Sequence, residues 1–231
     1  MRFICCVVAL SLCSVAYGRV YCDVELLSTQ IQPPVPGVNW NEFNFSSRVV
    51  LGYEHDVYGV RVRYWDYDQD FELSPGIPFG FDYKVADLEA TRRFGDFLIS
   101  GGFRIADETM WLPESFANTT QFGVTVAGEG NTGLCGGDCW GVSAVYGGRL
   151  SLLQGNWDYN PGPNTTLMRI GEFQNDTQSV TEAFAGLEGT YKNVISRVTL
   201  EMQNWESNAL ERRGWYDIGF LSIGWTIGAR F

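Results

Sequence analysis

The chain holds one histidine, His55, beside Asp56. A histidine next to a carboxylate is the start of a general-base arrangement, and a hydrolase would add a serine or carboxylate nucleophile. No Gly-x-Ser-x-Gly elbow accompanies the pair, so a solvated turn histidine is the better reading. Asp66-Tyr-Asp-Gln-Asp70 opens like a calcium loop, but Phe71 and Ile77 stand where that loop needs glycine and glutamate. It reads as an acidic loop, with weak divalent-cation binding as the alternative. Asp87 and Glu89 share one strand face, with Arg61, Arg63 and Arg93 as candidate partners. A structural ion-pair lattice suits them better than acid–base catalysis. No catalytic residue, metal site or cofactor is expected, and the chain is not expected to be an enzyme.

The N-terminus points to an exported protein, and the cysteines are read in that light. Cys135-Gly-Gly-Asp-Cys139 places two thiols close together in a glycine-rich segment, the pattern of a local disulfide. Cys22 has no obvious partner and reads as a small apolar side chain. Arg2, the apolar run Phe3 to Val15 and Ala16-Tyr17-Gly18 make a cleavable signal of residues 1–18. Leu12 and Tyr21 precede Cys13 and Cys22, which disfavours lipidation. A single domain is expected over 19–231.

Aromatics make up 15% of residues and the chain has 27 glycines, which suits a sheet-rich protein with tight turns. The net charge of −11 excludes the basic footprint of a nucleic-acid binder. The sequons at Asn44, Asn118, Asn164 and Asn175 read as loop composition.

The elements that position the charges are short amphipathic strands. Val60, Val62 and Tyr64 alternate with Arg61, Arg63 and Trp65. Leu88 alternates with Asp87 and Glu89, and Phe122, Val124 and Val126 with Gly123 and Thr125. Leu200 sits between Thr199 and Glu201, and Leu221, Ile223, Trp225 and Ile227 run towards Phe231. Period-two patterns over segments of about ten residues, with no long apolar run, predict a closed antiparallel transmembrane β-barrel.

The pattern places about ten strands (8–12) at roughly 20–31, 46–55, 58–67, 82–94, 97–106, 119–129, 140–153, 180–189, 194–205 and 217–231. Short turns are expected at His55 to Tyr58, Gly95-Asp96 and Thr190 to Asn193, on the periplasmic side. Longer outer loops are expected at 68–81, 107–118, 154–179 and 206–216. The connection 130–139 is long for a turn.

If the barrel lies in lipid, its apolar rows face outward. Val60, Val62, Leu88, Val124, Val126, Leu200, Leu221, Ile223, Trp225 and Ile227 are then lipid-facing. Arg61, Arg63, Asp87, Glu89, Arg104, Arg149, Glu188, Arg197, Glu201 and Arg230 line the lumen and pair there. Tyr53, Trp65, Tyr67, Trp140, Trp205, Trp215 and Tyr216 are candidates for interface girdles. The strand ending at Phe231 is of the kind presented to barrel-insertion machinery.

Four stretches carry a family likeness: Val20 to Leu27; Leu51 to Glu54 with Gly59 to Asp68; Ala86 to Phe94 with Ser100 to Ala106; and Leu200 to Trp205 leading to Asp217 through Trp225. With them the chain resembles the pore-forming major outer membrane proteins of the Legionella type. The resemblance implies a bacterial outer-membrane barrel passing small polar solutes or ions, and no catalytic set.

Two alternatives stand beside the porin-like reading. One is a closed structural or adhesive surface barrel acting through its outer loops, since a small charge-filled barrel is narrow or shut. The other is a soluble secreted barrel with an apolar ligand inside.

Overall fold

The structure, a computed structural model, describes residues 18–32, 43–74, 77–112, 115–160, 173–208 and 218–231. The expected signal, residues 1–17 of it, lies outside the described residues, as do Trp215 and Tyr216. The strands are β1 (Arg19–Gln32), β2 (Phe43–His55), β3 (Tyr58–Ser74), β4 (Ile77–Phe94), β5 (Phe97–Leu112), β6 (Ser115–Gly137), β7 (Trp140–Asn160), β8 (Phe173–Tyr191), β9 (Val194–Ser207) and β10 (Ile218–Arg230). Each pairs antiparallel with its sequence neighbour, and β1 closes the barrel against β10. All ten expected strands are present.

One end of the barrel has tight turns. Asp56, Gly95 and Lys192 take φ of 53°, 59° and 51°. A left-handed first residue is what a primed two-residue hairpin turn needs, because its twist matches that of the flanking strands. The fourth turn corrects the long connection expected at 130–139: β6 continues to Gly137 and turns at 138–139. Cys135 therefore sits within a strand, opposite Val142. Extended chain at about 3.3 Å per residue carries it away from Cys139. Both are free, exposed thiols, and the expected disulfide is not formed.

The other end differs more from expectation. Segments 68–81 and 107–118 are mostly strand rather than loop, and β7 and β8 reach into 154–179. The reason lies in the side chains. Near the turns Val60, Val62 and Tyr64 point out of β3; further along, Trp65 and Tyr67 point in while Asp66 and Asp68 face outward. The same reversal occurs on β9, where Leu200 and Met202 point out and Trp205 points in. On β4 Leu88 is outward but Phe81, Tyr83 and Val85 are inward, and on β10 Ile223 is outward but Ile218 and Phe220 are inward.

The barrel thus has two storeys. The turn-side storey is apolar outside and charged inside. The far storey, a collar, is mostly polar outside, with Phe43, Phe45 and Phe116 as exposed exceptions, and has the hydrophobic core inside, with Leu27, Trp65, Tyr83, Met110, Leu153 and Trp205 among its members. At about 3.3 Å per residue and a tilt of about 40°, the outward row from Leu221 to Phe231 rises roughly 25 Å, the height of an outer-membrane apolar band.

Interior glycines let strands close up. A Cβ on Gly123 would lie 1.8 Å from the Leu152 carbonyl oxygen, whereas one on Gly128 would meet nothing within 4 Å. Gly123→Ala is expected to destabilise the refolded barrel by more than about 1 kcal/mol. Gly128→Ala should change it by less than about 0.5 kcal/mol. Urea unfolding in detergent micelles measures both.

Candidate functional site: the barrel interior

Strand alternation aims every second side chain of the turn-side storey at the axis. The interior residues anticipated from sequence all point there: Arg61, Arg63, Asp87, Glu89, Arg104, Arg149, Glu188 and Glu201 are buried, and Arg197 and Arg230 are half-buried. The ten apolar residues anticipated as outward are all exposed, from 37% at Leu221 to 57% at Leu88. An apolar-lined lumen, as a soluble ligand-binding barrel needs, is not found in this storey.

The charges neutralise one another. Arg63 donates from Nε to Asp87 at 2.7 Å, and from Nη1 and Nη2 to Glu182 at 2.9 Å each. Arg104 bridges the same two carboxylates, at 2.7 Å to Asp87 and 2.5 Å to Glu182. Arg149 bonds Glu89 and lies 3.4 Å from Asp87 and from Glu182. Arg61 bonds Glu89, reaches Glu129 at 2.5 Å and donates to Ser100 at 3.0 Å. Arg48 forks onto Glu201 at 2.9 and 2.5 Å and donates to Glu25 at 2.7 Å. Nearer the turns stand two separate pairs, Arg197 with Glu188 and Arg230 with Asp23. Arg93, anticipated as a partner of the Asp87/Glu89 face, instead donates to Glu54 at 3.2 Å.

Several of these bonds cross the lumen. Strands β3 and β8 are five places apart in the closed order, so Arg63–Glu182 runs between opposite walls. A second bar lies in the collar. Tyr83 on β4 and Trp205 on β9 are also on opposite walls, with ring centroids 4.0 Å apart. Trp205 meets Phe220 at 4.6 Å, and Trp65 meets Tyr83 at 5.4 Å. Trp65, Tyr67 and Trp205 therefore fill the lumen and are not girdle residues. Tyr53 and Trp140 do face outward. Beside the lattice a cavity of about 170 Å³ remains, lined by both signs of charge. It has room for a handful of waters.

Sequence reading missed Arg48, Glu182, Glu25 and Glu129. Each has the interior parity of its strand, and Glu182 shares it with Glu188, so the signal was present. The aromatic bar gave a weaker signal, because its members alternate with outward polar residues. The other chemical candidates stay apart. His55 and Asp56 are exposed where β2 turns into β3. Among the described residues no group of three or more His, Cys, Asp or Glu side chains is placed to hold a metal.

Two solved structures are similar to the chain over most of its length. The translocator domain of the autotransporter NalP from Neisseria meningitidis matches with a TM-score of 0.55 at 11% identity, covering 96% of this chain and 92% of that one. Ail, the attachment invasion locus protein of Yersinia pestis, matches with a TM-score of 0.41 at 12% identity, covering 94% of this chain and 100% of that one. At 11% identity the likeness to the NalP domain is one of fold, that of an outer-membrane β-barrel, and carries no activity. No family model and no curated protein matches the chain, so the Legionella-type resemblance gains no support there.

Glu182 is the test of the lattice. Glu182→Gln removes one charge facing Arg63, Arg104 and Arg149, and should cost about 3–5 kcal/mol, as breaking a buried pair does. Lys84→Gln, which removes the half-exposed partner of Asp82, should cost no more than about 1 kcal/mol. Equilibrium unfolding of both refolded variants checks the contrast.

Proposed function

We propose that this chain is a closed outer-membrane barrel that works at the cell surface through its collar and the loops it carries, rather than as a conduit. The observation that carries this is the double bar across the lumen, Arg63–Glu182 in one storey and Tyr83–Trp205 in the other. A pore that selects by charge needs lining groups free to meet an ion. Here the guanidinium groups already hold carboxylates. Passage of small polar solutes, the role implied by the Legionella-type resemblance, would require both bars to move.

On this reading the belt of Val60, Val62, Leu88, Val124, Val126, Leu200, Leu221, Ile223, Trp225 and Ile227 meets lipid, and residues 1–18 are removed on export. The collar then stands in water, with Asp66, Asp68, Asp82, Asp107 and Glu206 on its outer wall. A rigid, acidic sheet surface suits a structural or adhesive role.

Two measurements test the proposal. Reconstituted into planar bilayers, the protein should give no conductance steps; steady unitary steps would make it a pore. Leu200→Arg, on the outward belt, should destabilise the barrel in lipid vesicles by about 2–4 kcal/mol if it sits near the midplane. An unchanged stability would argue against lipid contact.

A further inference from the structure

A second polar cluster lies in the collar, on the β5–β8 wall and apart from the arginine lattice. Glu108 is 1% exposed; the Gln178 amide faces its carboxylate, but neither carboxylate oxygen has a partner at hydrogen-bond distance and angle. Thr119 stands directly across from it on β6, and Gln178 and Asp176 are its near neighbours. Thr119 Oγ1, Gln121 Oε1 and both polar atoms of Gln178 are likewise buried without partners. Asp176 is held differently: its Oδ2 accepts from Trp157 Nε1 and Ser207 Oγ at 2.9 Å, and from Gln121 Nε2 at 3.3 Å. The same strands carry the buried apolar Met110, Ala117 and Val180 of the collar core.

Such an arrangement is costly as it stands. A buried polar atom without a partner gives up its hydrogen bonds to water and gains none in return, and Glu108 alone presents two. Its nearest arginine along the strand, Arg104, is committed to Asp87 and Glu182. What the cluster offers is oxygen: the Glu108 carboxylate, the Gln121 and Gln178 amide carbonyls and the Thr119 hydroxyl are all buried on β5, β6 and β8 in the neighbourhood of the Asp176 carboxylate. Neither sulfur nor imidazole is among them. Hard cations take oxygen sets of this kind, and the larger calcium ion tolerates irregular geometry better than magnesium does. Two buried carboxylates so close call for a double positive charge.

We propose that Glu108, Gln121, Gln178 and Thr119 form an internal site for a divalent cation of the calcium class, flanked by Asp176. The bound ion would tie β5, β6 and β8 together and brace the collar. With one direct carboxylate and neutral oxygens for the rest, the site belongs with weak extracellular calcium modules, with Kd of about 10⁻⁴–10⁻³ M. The site does not depend on the lumen being closed, so it stands or falls separately from that reading.

The test uses the full barrel, refolded in detergent and stripped with a chelator. Calorimetric titration with calcium chloride should show one ion bound per barrel and a raised thermal midpoint. Glu108→Gln, which keeps the shape and removes the charge, should weaken binding at least about tenfold. Asp68→Asn, on the outer acidic wall, should leave it unchanged. Thr119→Val gives an independent reading through a smaller loss of affinity, should the Glu108 variant refold poorly. No calcium uptake by the parent barrel would overturn the proposal and leave Glu108 as a protonated acid. Uptake insensitive to Glu108→Gln but lost in Asp68→Asn would overturn it too, placing the ion on the outer wall.

Discussion

A barrel wall has two faces, and a side chain that is right for one surrounding is wrong for the other. That constraint organises this chain. In the turn-side storey apolar residues face out, and charged ones are left with no place but the lumen. In the collar the assignment reverses. Trp65 sits next to Tyr64 in sequence yet on the opposite face, and from that point along β3 the apolar parity has changed. Everything inside follows from which side of the reversal it occupies.

Below the reversal, buried charge has to be balanced within the lumen. Glu182 shows how: three arginines from β3, β5 and β7 converge on it. Guanidinium groups suit this work because their fork geometry matches a carboxylate and they stay charged. Above the reversal the lumen can hold an ordinary aromatic core, and Tyr83, Trp205 and Phe220 fill it. Both solutions tie opposite walls of the barrel together, by different physics. A ten-stranded barrel is narrow enough for opposite walls to touch through side chains.

The strands were legible in the sequence wherever the two faces contrast strongly. Leu221 through Ile227 against Ser222 and Thr226 is such a row. The turns were legible because two-residue hairpins at Gly95-Asp96 and Lys192-Asn193 leave little alternative. The collar was not legible, because near Asp66 and Asp107 the apolar parity changes within one strand, and a window crossing the change averages to no pattern. Segments 68–81 and 107–118 therefore looked like polar loops. Cross-lumen partners were legible only as a class. Sequence told which residues share a face; closure between β1 and β10 decided that Arg63 meets Glu182 across the lumen as well as its neighbour Asp87.

The reversal of faces is also the most exposed part of the account. Spin labels placed one at a time at Leu88, Leu200 and Asn204, in a cysteine-free background and in lipid vesicles, read it directly. Collision with dissolved oxygen reports lipid, and collision with a water-soluble nickel chelate reports water. The account predicts oxygen access at Leu88 and Leu200 and nickel access at Asn204, two outward positions further along the same strand as Leu200. Nickel access at all three positions would contradict it, for the apolar belt would then be standing in water.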